Sequence, residues 1–271
     1  MNAILHTEDF GPQVASGRSK RSVKALSYGG GVQTTALLRM ILAGEYERPD
    51  VVIFADTGDE PLAIYAAVER ERLNCEAAGL AFRVVARPGG PLRDELLKGM
   101  VRVPAFTRTT KRDNGGQLLR SCTDKFKLAP IRQFLRKHGV AVAEMWLGMS
   151  TDEMQRVKTS KLQWVTNRYP LVEMDMRRSD CEAYLIRLGI EPVKSACVYC
   201  PYHSSAAWES IRNVPEDWAL AVAYDEAIRD ARPNMKTFVH PARKALALAV
   251  SDPTPTLFDA ENDECEGVCF S

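Results

Sequence analysis

The residues of this chain best suited to covalent or metal chemistry are its seven cysteines. Cys197 and Cys200 form a Cys-x-x-Cys pair, and Cys122 lies in a segment crowded with lysine and arginine. Thiolates ligate iron–sulfur clusters, and nearby positive charge lowers a thiol's pKa, which favours both ligation and reactivity. Cys122, Cys197 and Cys200 supply three ligands for a 4Fe-4S cluster, and Cys181, Cys265 or Cys269 offers the fourth, Cys269 being taken here as the metal ligand. A zinc site completed by His203, a redox dithiol and plain core cysteines are the alternatives. Pro201 after Cys200 excludes c-type haem attachment, which needs histidine there. Cys75, within a helical pattern beside Leu73, reads as a core filler.

A second constellation is Ser27-Tyr28-Gly29-Gly30-Gly31-Val32-Gln33-Thr34-Thr35, between an apolar run and a helical pattern. Glycines at a strand-to-helix turn let the backbone approach a ligand and adopt positive φ, and the helix N-terminus favours negative charge. A phosphate is the expected ligand, and a valine at Gly30 is expected to block it while the fold survives. Neither a Walker A loop nor Gly-x-Gly-x-x-Gly is present.

The elements that hold these residues alternate. Strands are predicted over Val23 to Ser27, Val51 to Phe54, Phe82 to Ala86 and Glu144 to Leu147. Helices are predicted over Thr34 to Leu42, Pro61 to Ala78 and Leu128 to His138. Such alternation means α/β architecture, a parallel sheet with helices on both faces, with ligands at the C-terminal strand ends. Arg87 to Leu119 reads as a long loop. Ser179-x-x-Glu182 reads as a capping box opening a helix from Asp180 to about Leu188, and Ser205 to Arg212 and Pro215 to Arg229 read as helices. The resulting division is an N-terminal extension (1–21), a nucleotide-binding domain (22–176), a helical cysteine-bearing region (177–250) and an acidic tail (251–271).

With the second strand ending in Asp56-Thr57-Gly58-Asp59-Glu60-Pro61, the chain resembles the adenine-nucleotide α-hydrolase superfamily of PP-loop ATP pyrophosphatases and phosphoadenylylsulfate (PAPS) reductases. Gly29-Gly30-Gly31-Val32-Gln33-Thr34 aligns with that family's Ser-Gly-Gly-x-Asp-Ser loop, with Gln33 in place of the aspartate. Cys122-Thr123-Asp124-Lys125-Phe126-Lys127-Leu128-Ala129-Pro130 is similar to the Cys-Cys-x-x-x-Lys-x-x-Pro of cluster-bearing adenylylsulfate reductases. Trp146 to Glu153 with Arg156 looks like the family's Trp-x-x-Gly segment, Pro170 to Glu173 like its Pro-Leu strand, and Cys197 to Cys200 like its Cys-x-x-Cys. The likeness runs over residues 22 to 205. It implies ATP, with or without Mg2+, bound by Ser27, Gly29, Gly30, Gly31, Gln33, Thr34, Asp56, Thr57 and Gly58. It also implies sulfur chemistry at Cys122 and Cys265, with Asp152 and Arg156 as further catalytic candidates. The implied activities are ATP-activated thiolation of DNA or tRNA, with sulfur from a donor such as a cysteine desulfurase and the open iron of the cluster carrying a sulfide. Reduction of adenylylsulfate or its 3′-phosphorylated form, and a non-catalytic nucleotide-binding subunit, are the alternatives.

Charge is unevenly distributed. Nine basic residues against two acidic ones lie between Arg108 and Lys137, whereas residues 251–271 hold six acidic and no basic side chains. A basic segment around a cysteine suggests a polyanionic ligand. No apolar run approaches membrane-spanning length, and residues 1–21 lack a signal peptide's apolar core, so a reducing cytoplasmic setting is expected.

Overall fold

The computed structural model describes residues 21–98, 104–109, 116–118 and 120–251. Five parallel strands form the main sheet: β1 (Arg21–Tyr28), β2 (Val51–Asp56), β3 (Ala81–Ala86), β5 (Val140–Leu147) and β6 (Val165–Arg168). Their order is β3-β2-β1-β5-β6. The chain builds outward from β1 on one side, then returns to β1's other edge, so the crevice between the C-terminal ends of β1 and β5 is the switch point where open α/β sheets take ligands.

Strand residues alternate between two cores. Leu26, Tyr28, Val52, Phe54, Phe82, Val84 and Trp146 face α1 (Val32–Ala43), α2 (Leu62–Ala77) and α6 (Arg178–Arg187). Val23, Ala25, Val51, Ile53, Ala55, Val85, Met145 and Leu147 face α4 (Ala129–Lys137). The strands carry apolar residues on both faces because helices cover both, as parallel sheets require. The sheet is therefore α/β with helices on both faces, as expected.

A third core stands apart from these two. It joins α3 (Leu92–Leu97), α7 (Ser205–Arg212), α8 (Pro215–Arg229) and α9 (Leu246–Ala249) to Phe126, Val198 and Tyr199. A two-stranded antiparallel ribbon, β4 (Phe106–Thr109) with β7 (Met235–Phe238), extends it. Buried Asp225 fastens this unit: one carboxylate oxygen accepts from Val239 N at 3.1 Å, the other from Leu246 N at 3.1 Å and from Arg229.

Several local expectations change. Arg87 to Leu119 is not a bare loop, since α3 and β4 lie within it. Pro170–Glu173 is a helical turn (α5), and the strand precedes it as β6, because Tyr169 and Pro170 end the extended run. The helix predicted from Leu128 begins at Cys122 with a π-helical turn over Thr123–Leu128, the kind of widened turn often found at functional sites. Helix α6 starts at Arg178, earlier than Ser179-x-x-Glu182 suggested. Asp180 accepts from Arg177 N at 2.8 Å, and Glu182 pairs instead with Arg178 at 2.8 Å. Cys181, Tyr184 and Leu185 of α6 pack into the sheet's own core, so α6 belongs with the sheet and not with a unit beginning at 177.

Asp217 of α8 joins the cap to the sheet by accepting from Leu62 N, the first residue of α2, at 3.2–3.3 Å. Burial raises its pKa, the hydrogen bond from Leu62 opposing. A carboxyl whose folded pKa is raised binds protons more readily folded than unfolded, so its charge costs stability above that range and the cost is relieved as pH falls. Asp217→Asn keeps an acceptor for Leu62 and should hold neutral-pH stability within about 0.5 kcal/mol while flattening the acid-side gain. Asp217→Ala should cost about 1–2 kcal/mol in urea unfolding by loss of the cap.

Candidate functional site

The glycine turn sits at the switch point. Gly30 has φ +79°, and a Cβ there would lie 3.0 Å from Ile64 Cγ2, so only glycine fits. This corrects one expectation: valine at Gly30 would disrupt α2 packing as well as any ligand site. Gly31 caps α1 with no side-chain acceptor, leaving the first-turn amides of a 12-residue helix without intrahelical partners. Thr34 Oγ1 accepts from Gly29 N at 3.3 Å and donates to Gly31 O at 3.4 Å, so this expected ligand residue also braces the turn. Ser27 lies one residue before the end of β1, between Ile53 and Leu147.

The facing wall follows β5. A Cβ on Gly148 would lie 2.4 Å from Thr34 Cγ2 and 3.2 Å from its backbone, so the two walls meet in close contact. Gln33, 1% exposed, donates from Nε2 to Glu153 Oε2 at 3.0 Å and to Ser150 Oγ at 3.4 Å, and its Oε1 is buried without a hydrogen-bond partner. Arg156 pairs with Glu153 on the same 3₁₀ turn, Thr151–Arg156. Asp152 accepts from Arg178 N at 2.6 Å, so it caps α6, a structural duty its sequence context did not reveal.

After β2, Asp56 accepts from Gly58 N at 2.7 Å and Tyr65 OH at 2.9 Å. Gly58, at φ +77°, has no room for a Cβ, which would lie 2.7 Å from Pro91 Cβ. Thr57 donates to Glu60 Oε1 at 3.1 Å. Two buried acids that the motif reading passed over organise the surroundings. Asp59 accepts from Arg93 N at 2.7 Å, from the Arg93 guanidinium and from Tyr199 OH at 2.8 Å. Burial raises its pKa against these contacts. Glu60 pairs with Lys127 Nζ at 3.2 Å, and its Oε2 is buried without a hydrogen-bond partner.

The cysteine turn is fastened to these same loops. Ser195 Oγ donates to Gly29 O at 2.5 Å, and Val198 N donates to Asp59 O at 3.0 Å. Cys200 N donates to Cys197 O at 2.9 Å, closing the turn. His203 Nε2 lies 2.9 Å from Cys197 O, and burial pushes its pKa down to about 3, so it is neutral at physiological pH. Tyr199 stacks on Tyr224 at 3.9 Å, and burial raises the pKa of the Tyr224 hydroxyl.

Among the described residues, no three His, Cys, Asp or Glu side chains are grouped to hold a metal ion. Cys122 and Cys197 border the same third core, and Cys200 shares the turn of Cys197. Cys181 is removed as a fourth ligand because it is fully buried in the sheet core, away from the core that Cys122 and Cys197 join. Cys75 fills that sheet core too, and burial pushes its pKa up to about 12. Cys265 and Cys269 lie outside the described residues.

The basic run is dispersed. Lys127 meets Glu60, Arg132 meets Asp124 at 3.1 Å, Arg120 contacts Thr123 and lies over Tyr202, and Arg136 lies over the Trp164 ring at 3.9 Å. Sequence gave no sign that Lys127 would be consumed by a distant buried glutamate. No protein-family model matches the chain, and no curated protein matches it. Among the described residues no helix is long and apolar enough to cross a membrane.

Two substitutions test this geometry. Lys127→Ala leaves Glu60 charged and buried without its partner and should cost about 3–5 kcal/mol, measured by denaturant unfolding, with Glu60→Gln in the same chain recovering part of the loss. Gly148→Ala pushes a methyl into Thr34 and the start of α1, and should cost about 1–3 kcal/mol while weakening any ligand held by that turn.

Proposed function

We propose that the chain is a PAPS-reductase-like enzyme of the adenine-nucleotide α-hydrolase superfamily that binds an adenine nucleotide at the β1/β5 crevice and transfers sulfur to a nucleic acid. The observation that carries this reading is the attachment of the Cys-x-x-Cys turn to the glycine turn and to the loop after β2, through Ser195–Gly29 and Val198–Asp59. It sets the cysteine-bearing segment beside uncapped α1 amides suited to phosphate. In this reading Gly29, Gly30, Gly31, Gln33 and Thr34 meet the phosphates, with Asp56, Thr57 and Gly58 forming the neighbouring wall. An acceptor oxygen attacks the α-phosphorus of ATP and expels pyrophosphate. Hydrosulfide (HS⁻) then attacks the adenylylated centre, forming the new bond to sulfur and expelling AMP. The sequence resemblance implies a 4Fe-4S cluster, which Cys122, Cys197 and Cys200 would help to ligate, and neither step is routed through it.

The second reading is an adenylylsulfate or PAPS reductase. It is favoured by Gln33, whose neutral amide, engaged with Glu153, stands where ATP-cleaving relatives of the resembled family carry an acid.

Gly29→Val tests the nucleotide site without the strain present at Gly30, since a Cβ at Gly29 meets Ser195 Oγ only at an ordinary 3.5 Å. Calorimetry should show ATP affinity reduced at least tenfold with the unfolding midpoint held. Unchanged affinity places the nucleotide elsewhere. For the reaction, anaerobically purified protein is given ATP, a sulfide source and pooled DNA and tRNA, followed by digestion and mass spectrometry. Thio-nucleotides with pyrophosphate support thiolation. Sulfite from an adenylylsulfate donor and thioredoxin, abolished by Cys265→Ser, establishes the reductase instead. Iron in the anaerobic protein that Cys197→Ser removes supports the cluster, and zinc without iron excludes it.

A further inference from the structure

The β4–β7 ribbon brings Arg108, the first residue of the basic run, together with Arg232 and Lys236 from far along the chain. In the β4–β7 ribbon, Phe106 pairs with Phe238 and Thr107 with Thr237, and all four are buried. Further along, Arg108 stands directly opposite Lys236, and both are exposed. Opposed residues of an antiparallel pair hold their Cβ atoms about 5 Å apart, and like charges there repel. Arg232, exposed, forms a bridge to Met235 beside this pair. Neither Arg108 nor Arg232 forms an ion pair among the described residues. Asp230 is 3.5 Å from Lys236 with both groups exposed, a contact of small energy.

We propose that the distal end of the β4–β7 ribbon is a docking surface for a DNA duplex, with Arg108, Lys236 and Arg232 meeting its phosphates. This rests on the reading of a nucleic-acid acceptor above and names the surface that holds it. The ribbon sets two cations, Arg108 and Lys236, directly opposite each other where a structural role would favour an opposed pair of opposite sign. A duplex backbone, with a charge about every 1.7 Å of axis, relieves that repulsion by exchanging its counterions for these side chains. Shape agrees, because a two-stranded ribbon fits the major groove of DNA. The ribbon is held rigidly by its inner end, where Thr237 donates to Ile228 O of α8 and Asp225 accepts from Val239 N.

The test is fluorescence anisotropy of the full chain with a labelled DNA duplex and with a labelled tRNA, at several salt concentrations, alongside ATP calorimetry. Arg108→Glu converts the repelling pair into an attracting one, so the unfolding midpoint should hold or rise while affinity falls at least tenfold. Lys236→Gln should weaken binding by a smaller factor, and Arg108→Gln/Lys236→Gln should lower the salt slope by about two. ATP affinity should be unchanged in all variants. Tighter binding of the tRNA than of the DNA duplex overturns the assignment to DNA. Binding that survives Arg108→Glu undiminished, or a parent protein that binds neither nucleic acid, overturns the proposal. Loss of ATP binding in the parent instead strikes the nucleotide site and leaves the ribbon's result standing by itself.

Discussion

The arrangement depends on the buried carboxylate of Asp59. It sits just past β2 and accepts from the backbone and guanidinium of Arg93 and from the hydroxyl of Tyr199, while its own carbonyl receives Val198 N. One side chain thus connects the sheet, α3 and the cysteine turn. A carboxylate removed from water is tolerated only when its lone pairs are filled by strong donors, and a guanidinium, an amide and a phenol fill them here. That satisfaction fixes the register of the helical unit on the sheet together with the Asp217–Leu62 contact, and the position of Cys197 relative to Gly29 together with the Ser195–Gly29 hydrogen bond.

Gln33 shows how one substitution in a loop propagates. An aspartate at that position would stand beside Glu153, and two carboxylates so close would repel. An amide donates to Glu153 instead, while Arg156 neutralises it from the other side. The loop after β5 is drawn against α1, and Gly148, with no side chain, permits the close approach. The Gln33–Glu153–Arg156 wall of the crevice is therefore near neutral, and in the proposed reading the α1 amides would supply the attraction for phosphate.

The basic side chains divide by environment. Those near the sheet are consumed: Lys127 by a buried glutamate, Arg136 by a tryptophan face and Arg132 by Asp124. Those at the ribbon stay in water. A count of charges along the chain makes these groups look alike, because it cannot register which cations fold inward onto partners.

Sequence by itself determined the α/β class, the order of β1 to α2, and the glycine turn, because strand and helix periodicities and the positive-φ demand of Gly30 are local properties. It also located the Cys-x-x-Cys turn and the core role of Cys75. Tertiary structure decided the rest. Asp152 became a helix cap, Cys181 a core residue and Pro170–Glu173 a helical turn, while Asp59, Glu60 and Lys127 became the polar ties of the site. The β4–β7 pairing set Arg108 opposite Lys236, which lies far away in the chain. The physical reason is the same in each case: a side chain's duty is set by the groups that share its burial, and those groups come from segments whose proximity no local pattern encodes.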